Sequence, residues 1–128
     1  MVAPILPLVG AVVTQLRFDF AVTVSFDAKF DLRLETEFRL VTPEGRTQSF
    51  DPGSDLARMG SLLTLHQVAV TAAETDETGN LRLAFADNRA IEASPDAAYE
   101  AWGFTGEGGL QYICLPGGGL AIWTAMTD

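Results

Sequence analysis

Residues 30–40 alternate between apolar and charged side chains, and this period of two constrains the fold more than any other feature of the chain. Apolar residues take the even positions except Thr36, and charged residues take all of the odd ones. Since successive side chains of a strand point to opposite faces, the pattern predicts one antiparallel strand with a buried face and a solvated face. The same parity extends back to Val12. Because the inward positions stay even-numbered across the turns, odd-length loops are favoured, with Asp19-Phe20-Ala21 and Asp27-Ala28-Lys29 as the candidates. Phe20 is a poor turn residue, so the alternative for the first loop is a bulge or bend at Asp19 within a longer strand.

One segment departs from this pattern and predicts a helix over about residues 54–64. Ser54 or Asp51 is the expected N-cap, and acidic residues lie in the first turn. Apolar residues then recur at spacings of three and four, at Leu56, Met59, Leu62 and Leu63. This spacing predicts one apolar stripe that packs on the core.

Short alternating runs resume after the helix and are separated by turn residues at 76–80, 87–89 and 106–109. The order is strands, helix, strands, and no βαβ alternation is present. We therefore predict one α+β domain over residues 1–128 that is mostly β, with eight to nine short strands around the helix. The expected architecture is a twisted antiparallel sheet or a partly closed barrel, with the helix against one face or mouth.

The charge balance excludes several classes of partner. The chain has 17 acidic and 8 basic residues, with a net charge of -9, and the basic residues are scattered. Such a surface repels phosphate backbones and anionic lipid, which argues against nucleic-acid and membrane binding. It permits a basic protein or a cationic ligand. No segment approaches the length of a transmembrane helix, and we expect a cytoplasmic protein.

Metal and cofactor chemistry find little support in the sequence. One cysteine, Cys114, and one histidine, His66, allow neither an internal disulfide nor an ordinary structural zinc site, and no calcium-loop spacing is present. The glycines at 117–119 precede a strand-like run and lack the residues of a phosphate loop, so they predict a turn or bulge. Because His66 has no triad partner nearby in sequence and Cys114 lies in an apolar run, we identify no catalytic residues.

Five residues are candidates for binding a ligand or partner: Glu100, Trp102, Trp123, Glu35 and Glu37. Glu100 stands between aromatic residues, and Tyr99, Trp102 and Trp123 could form an aromatic wall around a ligand. Glu35 and Glu37 share the charged face of the predicted strand. Each candidate also has a plain structural interpretation: core packing explains the tryptophans, and a solvated strand face explains the glutamates.

Several short motifs resemble a family of small, uncharacterised actinobacterial domains of unknown function. They are Leu8-Val9-Gly10, Leu16-Arg17-Phe18-Asp19, Leu32-Arg33-Leu34-Glu35-Thr36, Tyr99-Glu100-Ala101-Trp102 and the closing Pro116-Gly117-Gly118-Gly119-Leu120-Ala121-Ile122-Trp123. The resemblance covers nearly the whole chain and is sharpest in the closing pattern Pro-Gly-Gly-x-Leu-Ala-x-Trp. An acidic residue is frequent in the family at the third place of the triplet, where this chain has Gly119. The resemblance implies no activity and no catalytic residues.

We favour a non-enzymatic module that binds another protein, with an immunity or antitoxin-like role toward a basic partner as one specific version. One alternative is a small-molecule-binding or enzymatic domain that uses a barrel mouth, with Trp102, Trp123 and Glu100 at its rim. Another is a homo-oligomeric structural domain that pairs through a strand edge. A deep pocket that holds those three residues would favour the barrel-mouth hypothesis.

Overall fold

Residues 6–124 are described by the computed structural model, and they form eleven strands in two antiparallel sheets with one short helix, α1 (Gly60–Leu63). Two 3₁₀ turns, Leu56–Arg58 and Glu107–Gly109, complete the regular structure. No helix within these residues is long and apolar enough to span a membrane. The strands are β1 (Val13–Phe18), β2 (Val22–Phe26), β3 (Phe30–Leu34), β4 (Phe38–Val41), β5 (Thr47–Phe50), β6 (Val70–Thr75), β7 (Leu81–Phe85), β8 (Ala90–Ala93), β9 (Trp102–Thr105), β10 (Gln111–Cys114) and β11 (Leu120–Trp123).

The chain builds the two sheets in three blocks. The first and last blocks together form a six-stranded sheet in the order β1-β2-β3-β9-β10-β11, and the middle block forms a five-stranded sheet in the order β5-β4-β8-β7-β6. Pairing of β3 with β9 joins the first block to the last. Apolar side chains that alternate along strands of both sheets are buried together in one cluster, because successive residues of a strand point to opposite faces of its sheet. The largest fully buried side chains include Trp102, Phe26, Phe38, Phe50, Phe85 and Phe104.

The two sheets meet along the β1 and β6 edges. Val12 and Ala69 form an isolated bridge, and the chain before β1 runs beside β6, where Gly10 N donates to Val70 O at 2.8 Å. At the other side, β11 and β5 end their sheets without pairing to each other. The mostly β class and the antiparallel pairing are therefore confirmed, whereas the predicted partly closed barrel is wrong.

The predicted strand over residues 30–40 divides into two strands that belong to different sheets. β3 ends at Leu34 and β4 begins at Phe38, so residues 35–37 carry the chain from the six-stranded sheet to the five-stranded one. Leu34 and Phe38 are both fully buried. The alternation of the sequence does not show this division, because even-numbered residues face the shared core both before and after the crossing. The structure has eleven strands against the predicted eight to nine, and this division accounts for one of the additional strands.

The predicted helix over residues 54–64 is shorter than expected and is interrupted. Leu56–Arg58 is a 3₁₀ turn, and α1 spans four residues. Neither N-terminus has a side-chain cap hydrogen bond. Met59 and Leu62 are buried, but Leu56 and Leu63 are exposed, so half of the predicted stripe faces solvent. Gly60 stands where the two pieces meet, and the low helix propensity of glycine is consistent with the break.

The two predicted three-residue loops are confirmed. Residues 19–21 connect β1 to β2, and residues 27–29 connect β2 to β3. In the first loop the carboxylate of Asp19 accepts a hydrogen bond from Ala21 N at 2.8 Å, which closes the turn locally. Phe20 at its tip is 90% exposed.

The closing glycine segment is a tight turn between β10 and β11, as predicted. Gly117, Gly118 and Gly119 have φ of 79°, 109° and 95°, values that residues with a Cβ rarely adopt. Gly119 N donates to Thr78 O at 2.8 Å, and Gly117 N donates to Asp96 O at 2.7 Å. The turn therefore ties the six-stranded sheet to the turn between β6 and β7 of the other sheet.

Candidate functional site

Two of the predicted binding residues, Glu35 and Glu100, are brought together at one end of the six-stranded sheet. Glu35 directly follows β3, and Glu100 lies two residues before β9. Because these strands are neighbours, their ends are adjacent, and Glu35 N donates a hydrogen bond to Ala101 O at 2.9 Å. Both glutamates are exposed. The backbone of the folded sheet therefore holds the two carboxylate-bearing residues side by side.

Asp96 organises the bend that presents Tyr99 beside these glutamates. Its carboxylate accepts hydrogen bonds from Ala98 N at 2.9 Å and from Tyr99 N at 3.0 Å. The Asp96 carbonyl also accepts the bond from Gly117 that anchors the closing turn. Tyr99 is 70% exposed, which is unusual for an aromatic side chain next to a folded core. We call the surface of Glu35, Tyr99 and Glu100 the acidic end.

The acidic end forms the ridge between two shallow depressions, since Glu35 and Glu100 line both. One depression, of about 540 Å³, lies at the end of the sheet and is lined by Glu35, Thr36, Ala98, Tyr99, Glu100 and Pro116. The other, of about 230 Å³, lies over the outer face of the six-stranded sheet and is lined by Arg17, Thr23, Asp31, Arg33, Glu35, Glu100, Gly103, Thr105, Gln111 and Ile113. Both are open to solvent, so they offer a contact surface and no enclosed chamber.

The charges at this end are only partly balanced. Arg33 lies 3.9 Å from a carboxylate oxygen of Glu35 and 3.7 Å from one of Asp19. A single guanidinium is thus shared by two acids, and the three side chains are substantially exposed. Among the ion pairs of residues 6–124, none includes Glu100. A cation that approached the acidic end would therefore find carboxylate oxygens without a full complement of positive partners.

The other three predicted residues lie elsewhere. Trp102 is fully buried, and its Nε1 donates to Gly79 O at 2.9 Å, so it is not available to a ligand at the surface. Trp123 is half exposed on β11, and β10 separates its strand from that of Trp102. Glu37 is exposed in the crossing between the sheets.

A polar network on the outer face of the six-stranded sheet was not foreseen. Ser25 is nearly buried there, and its hydroxyl donates to Asp31 Oδ1 at 2.6 Å and accepts from Arg17 at 3.1 Å. The sequence signal was the polar residues at odd positions of β1, β2 and β3, which pair in register across the three strands. Asp96 was also missed as an organising residue, although an aspartate that follows a proline is a common start of a turn.

The remaining reactive side chains have structural surroundings. Cys114 is fully buried beside Gly79 O, and burial raises the pKa of its thiol. A raised pKa disfavours the thiolate, which is the nucleophilic form. Within residues 6–124, no group of three or more His, Cys, Asp or Glu side chains is arranged to hold a metal ion.

Comparison with known proteins gives one match. A family model described as "Family of unknown function (DUF6188)" matches residues 4–124. No curated protein and no solved structure matches the chain.

Proposed function

Since the chain belongs to this family of unknown function, we propose a function from its own surface: it is a protein-binding module whose acidic end accepts a positively charged segment of a partner protein. The observation that carries the proposal is the fixed pairing of Glu35 and Glu100 beside an exposed Tyr99. A hydrogen bond of the sheet positions the glutamates, and the Asp96 turn positions the tyrosine.

The chemistry of these three side chains fits an arginine or lysine side chain. Carboxylates accept charge-assisted hydrogen bonds from a guanidinium or an ammonium group, and an arginine can bind one of them in two places. The exposed ring of Tyr99 offers a face for a cation, which adds about 0.5–1 kcal/mol at an exposed site. Tyrosine is also among the residues that dominate binding energy at protein interfaces.

The overall charge supports the same class of partner. With a net charge of -9, the chain attracts basic proteins over long range, which raises association rates at low salt. An immunity or antitoxin-like role toward a basic toxin is the specific version that we propose. It draws on this charge balance and on the small size of the domain.

The barrel-mouth alternative loses its basis in this fold. The sheets do not close into a barrel, and Trp102 lies in the core. Both glutamates of the acidic end are exposed, whereas acid–base chemistry by two carboxylates needs two different environments. Binding is therefore the role that the geometry of the acidic end supports best.

Affinity capture with charge-matched variants tests the proposal. The double variant Glu35→Gln/Glu100→Gln removes two charges from the acidic end, and Glu44→Gln/Glu77→Gln removes two charges from exposed turns elsewhere. We expect the wild type and the control variant to retain the same basic protein. Its affinity, measured with purified components, should fall about tenfold in the acidic-end variant, since each exposed charge pair contributes up to about 1 kcal/mol.

A neutral substitution separates the aromatic contribution from the charge. Tyr99→Ala should weaken the same complex without changing its dependence on salt concentration. If the acidic-end variant and the control pair bound every captured partner with equal affinity, the acidic end would not be the binding surface.

A further inference from the structure

The β11 strand is an edge strand of the six-stranded sheet. Within residues 6–124, its backbone pairs with β10 on one side, and no other segment forms backbone hydrogen bonds with the opposite side. It is the last strand of the longer sheet, and Ile122 and Trp123 are 43% and 50% exposed. Free strand edges carry unpaired N–H and C=O groups that can pair with another chain.

Each of the other three end strands, β1, β5 and β6, is contacted by another segment or carries an irregularity. The chain before β1 runs along β6. β1 carries an irregularity between Val13 and Gln15 in its pairing with β2. At β5, the Gln48 side chain accepts a hydrogen bond from the Ser61 hydroxyl of α1, so the helical segment contacts that strand. Natural sheets use covers, bulges and charged residues to prevent edge pairing, and in the part of the chain from residue 6 to residue 124 none of these devices is found at β11.

The sequence around β11 is free of charge in a chain that is otherwise strongly acidic. No Asp, Glu, Lys or Arg occurs from residue 108 to residue 127. Ile122 pairs with Tyr112 and Trp123 pairs with Gln111, so the two exposed apolar side chains lie on opposite faces of the sheet. The edge therefore combines free backbone groups with apolar side chains on both faces.

We propose that β11 pairs with β11 of a second copy of this chain, in antiparallel orientation about a two-fold axis. The two six-stranded sheets then continue into each other, and the copies cover the exposed Ile122 and Trp123 side chains. A two-fold interface uses the same patch on both subunits, which suits an antiparallel edge.

Charge distinguishes a second copy from a basic partner at this edge. A basic partner is attracted by carboxylates, and β11 offers none, whereas the acidic end offers two. Two copies with a net charge of -9 repel each other over most of their surfaces, so they can approach only where a surface is uncharged. Because the paired strands are short, the buried area is smaller than in standard interfaces, and we expect a dissociation constant on the order of micromolar or weaker.

Sedimentation or size-exclusion at several concentrations tests the dimer. The wild type should shift toward twice the monomer mass as its concentration rises. Ile122→Lys should remain monomeric, since lysine is a residue that natural edges use against pairing. Thr47→Lys makes the same charge change in β5 and should dimerise like the wild type. A wild type that stays monomeric, or a dimer that tolerates Ile122→Lys, would overturn the proposal.

Cysteine cross-linking tests the interface without a change of charge. The native Cys114 is fully buried, so a cysteine introduced at the surface is the accessible thiol. Residues directly opposite each other in an antiparallel pair lie on the same face of the sheet. In the proposed dimer, one residue of β11 therefore lies opposite its own copy, next to the two-fold axis. Under mild oxidation, Ala121→Cys or Ile122→Cys should form a covalent dimer, and Thr47→Cys should not. If neither β11 variant cross-linked faster than the β5 control, β11 would not be the interface.

Discussion

Gly79 joins the two sheets through its backbone. Its carbonyl oxygen accepts hydrogen bonds from Trp102 Nε1 at 2.9 Å and from Cys114 Sγ at 3.5 Å. Both donors belong to the six-stranded sheet, whereas Gly79 lies in the turn between β6 and β7 of the other sheet. The bond to Trp102 gives the buried indole N–H a partner, which such a group needs.

We expect Gly79→Ala to destabilise the protein strongly. Gly79 has a φ of 100°, and a Cβ at this position would lie 2.8 Å from Cys114 Sγ. The strained backbone costs about 1–3 kcal/mol, and overpacking adds a similar amount. The free energy of unfolding, measured by chemical denaturation, should fall by about 2–5 kcal/mol.

Gly60→Ala is the matched control for this substitution. Gly60 lies in α1, and a Cβ there meets nothing within 4 Å. Alanine should raise stability by up to about 1 kcal/mol, because it favours the helix. The double variant Gly79→Ala/Cys114→Ala should lose less than the sum of its single changes, since the alanine removes the clashing sulfur. Equal stability of Gly79→Ala and the wild type would contradict the tight packing.

Burial explains why residue roles were only partly predictable. Alternation indicated correctly that Phe26, Leu32 and Leu34 face the core. It could not show that Trp102 lies in a strand between two others while Trp123 lies at a sheet edge. That difference depends on the order of strands in the sheet, which is set by pairing between distant segments.

At the scale of elements, the turn between β6 and β7 is held by one carboxylate. Asp76 accepts hydrogen bonds from the Thr78 hydroxyl at 2.7 Å and from the Asn80 side chain at 3.0 Å. The backbone N–H groups of the same two residues also donate to it, each at 3.0 Å. The Thr78 hydroxyl, followed by the Asn80 amide, lowers the pKa of Asp76 from 3.8 to about 2. The ionised carboxylate is therefore the form that closes this hairpin.

We expect this turn to contribute to acid unfolding. Because the pKa of Asp76 is lower in the folded state, its contribution is present above the unfolded pKa of about 4 and is lost as pH falls through about 2. Asp76→Asn keeps an acceptor oxygen but removes the titration. Denaturation between about pH 5 and pH 2 should show a smaller loss of stability for this variant than for the wild type. Identical pH profiles would show that Asp76 does not couple to folding.

The elements that the sequence predicted best are those whose signal is local. The odd-length hairpin loops followed from parity alone, and both are present. The crossing at residues 35–37 and the short α1 were missed for different reasons. Even-numbered residues face the shared core both before and after the chain passes from one sheet to the other, so the alternation does not reveal the crossing. The apolar spacing from Leu56 to Leu63 resembles a helical stripe, yet only Met59 and Leu62 are buried.

At the scale of the molecule, a closed barrel and two sheets that share one core place the same demand on the sequence. Both need strands with one apolar face, so the periodicity that predicted the strands could not separate them. The distinction lies in whether the end strands pair. β1 and β6 are connected through the bridge at Val12, whereas β5 and β11 do not pair with each other. Non-local pairing of this kind leaves little trace in a single sequence.

The charge distribution of the whole molecule leads to a prediction about salt. Within residues 6–124, every basic side chain except Arg46 belongs to an ion pair, mostly at the surface. The chain nevertheless has 17 acidic residues against 8 basic ones, so many carboxylates repel one another. Exposed pairs contribute only about 0–1 kcal/mol each. Salt should therefore weaken the repulsion more than the attraction.

We expect sodium chloride to raise the midpoint of thermal unfolding at neutral pH. Chloride is preferable to sulfate here, because sulfate also strengthens apolar burial. Glu44→Lys/Glu77→Lys replaces two exposed acids with bases and reduces the net negative charge. In this variant the midpoint should be higher at low salt and should rise less as salt is added. A wild-type midpoint that fell with added salt would mean that the surface ion pairs outweigh the repulsion between the unpaired carboxylates.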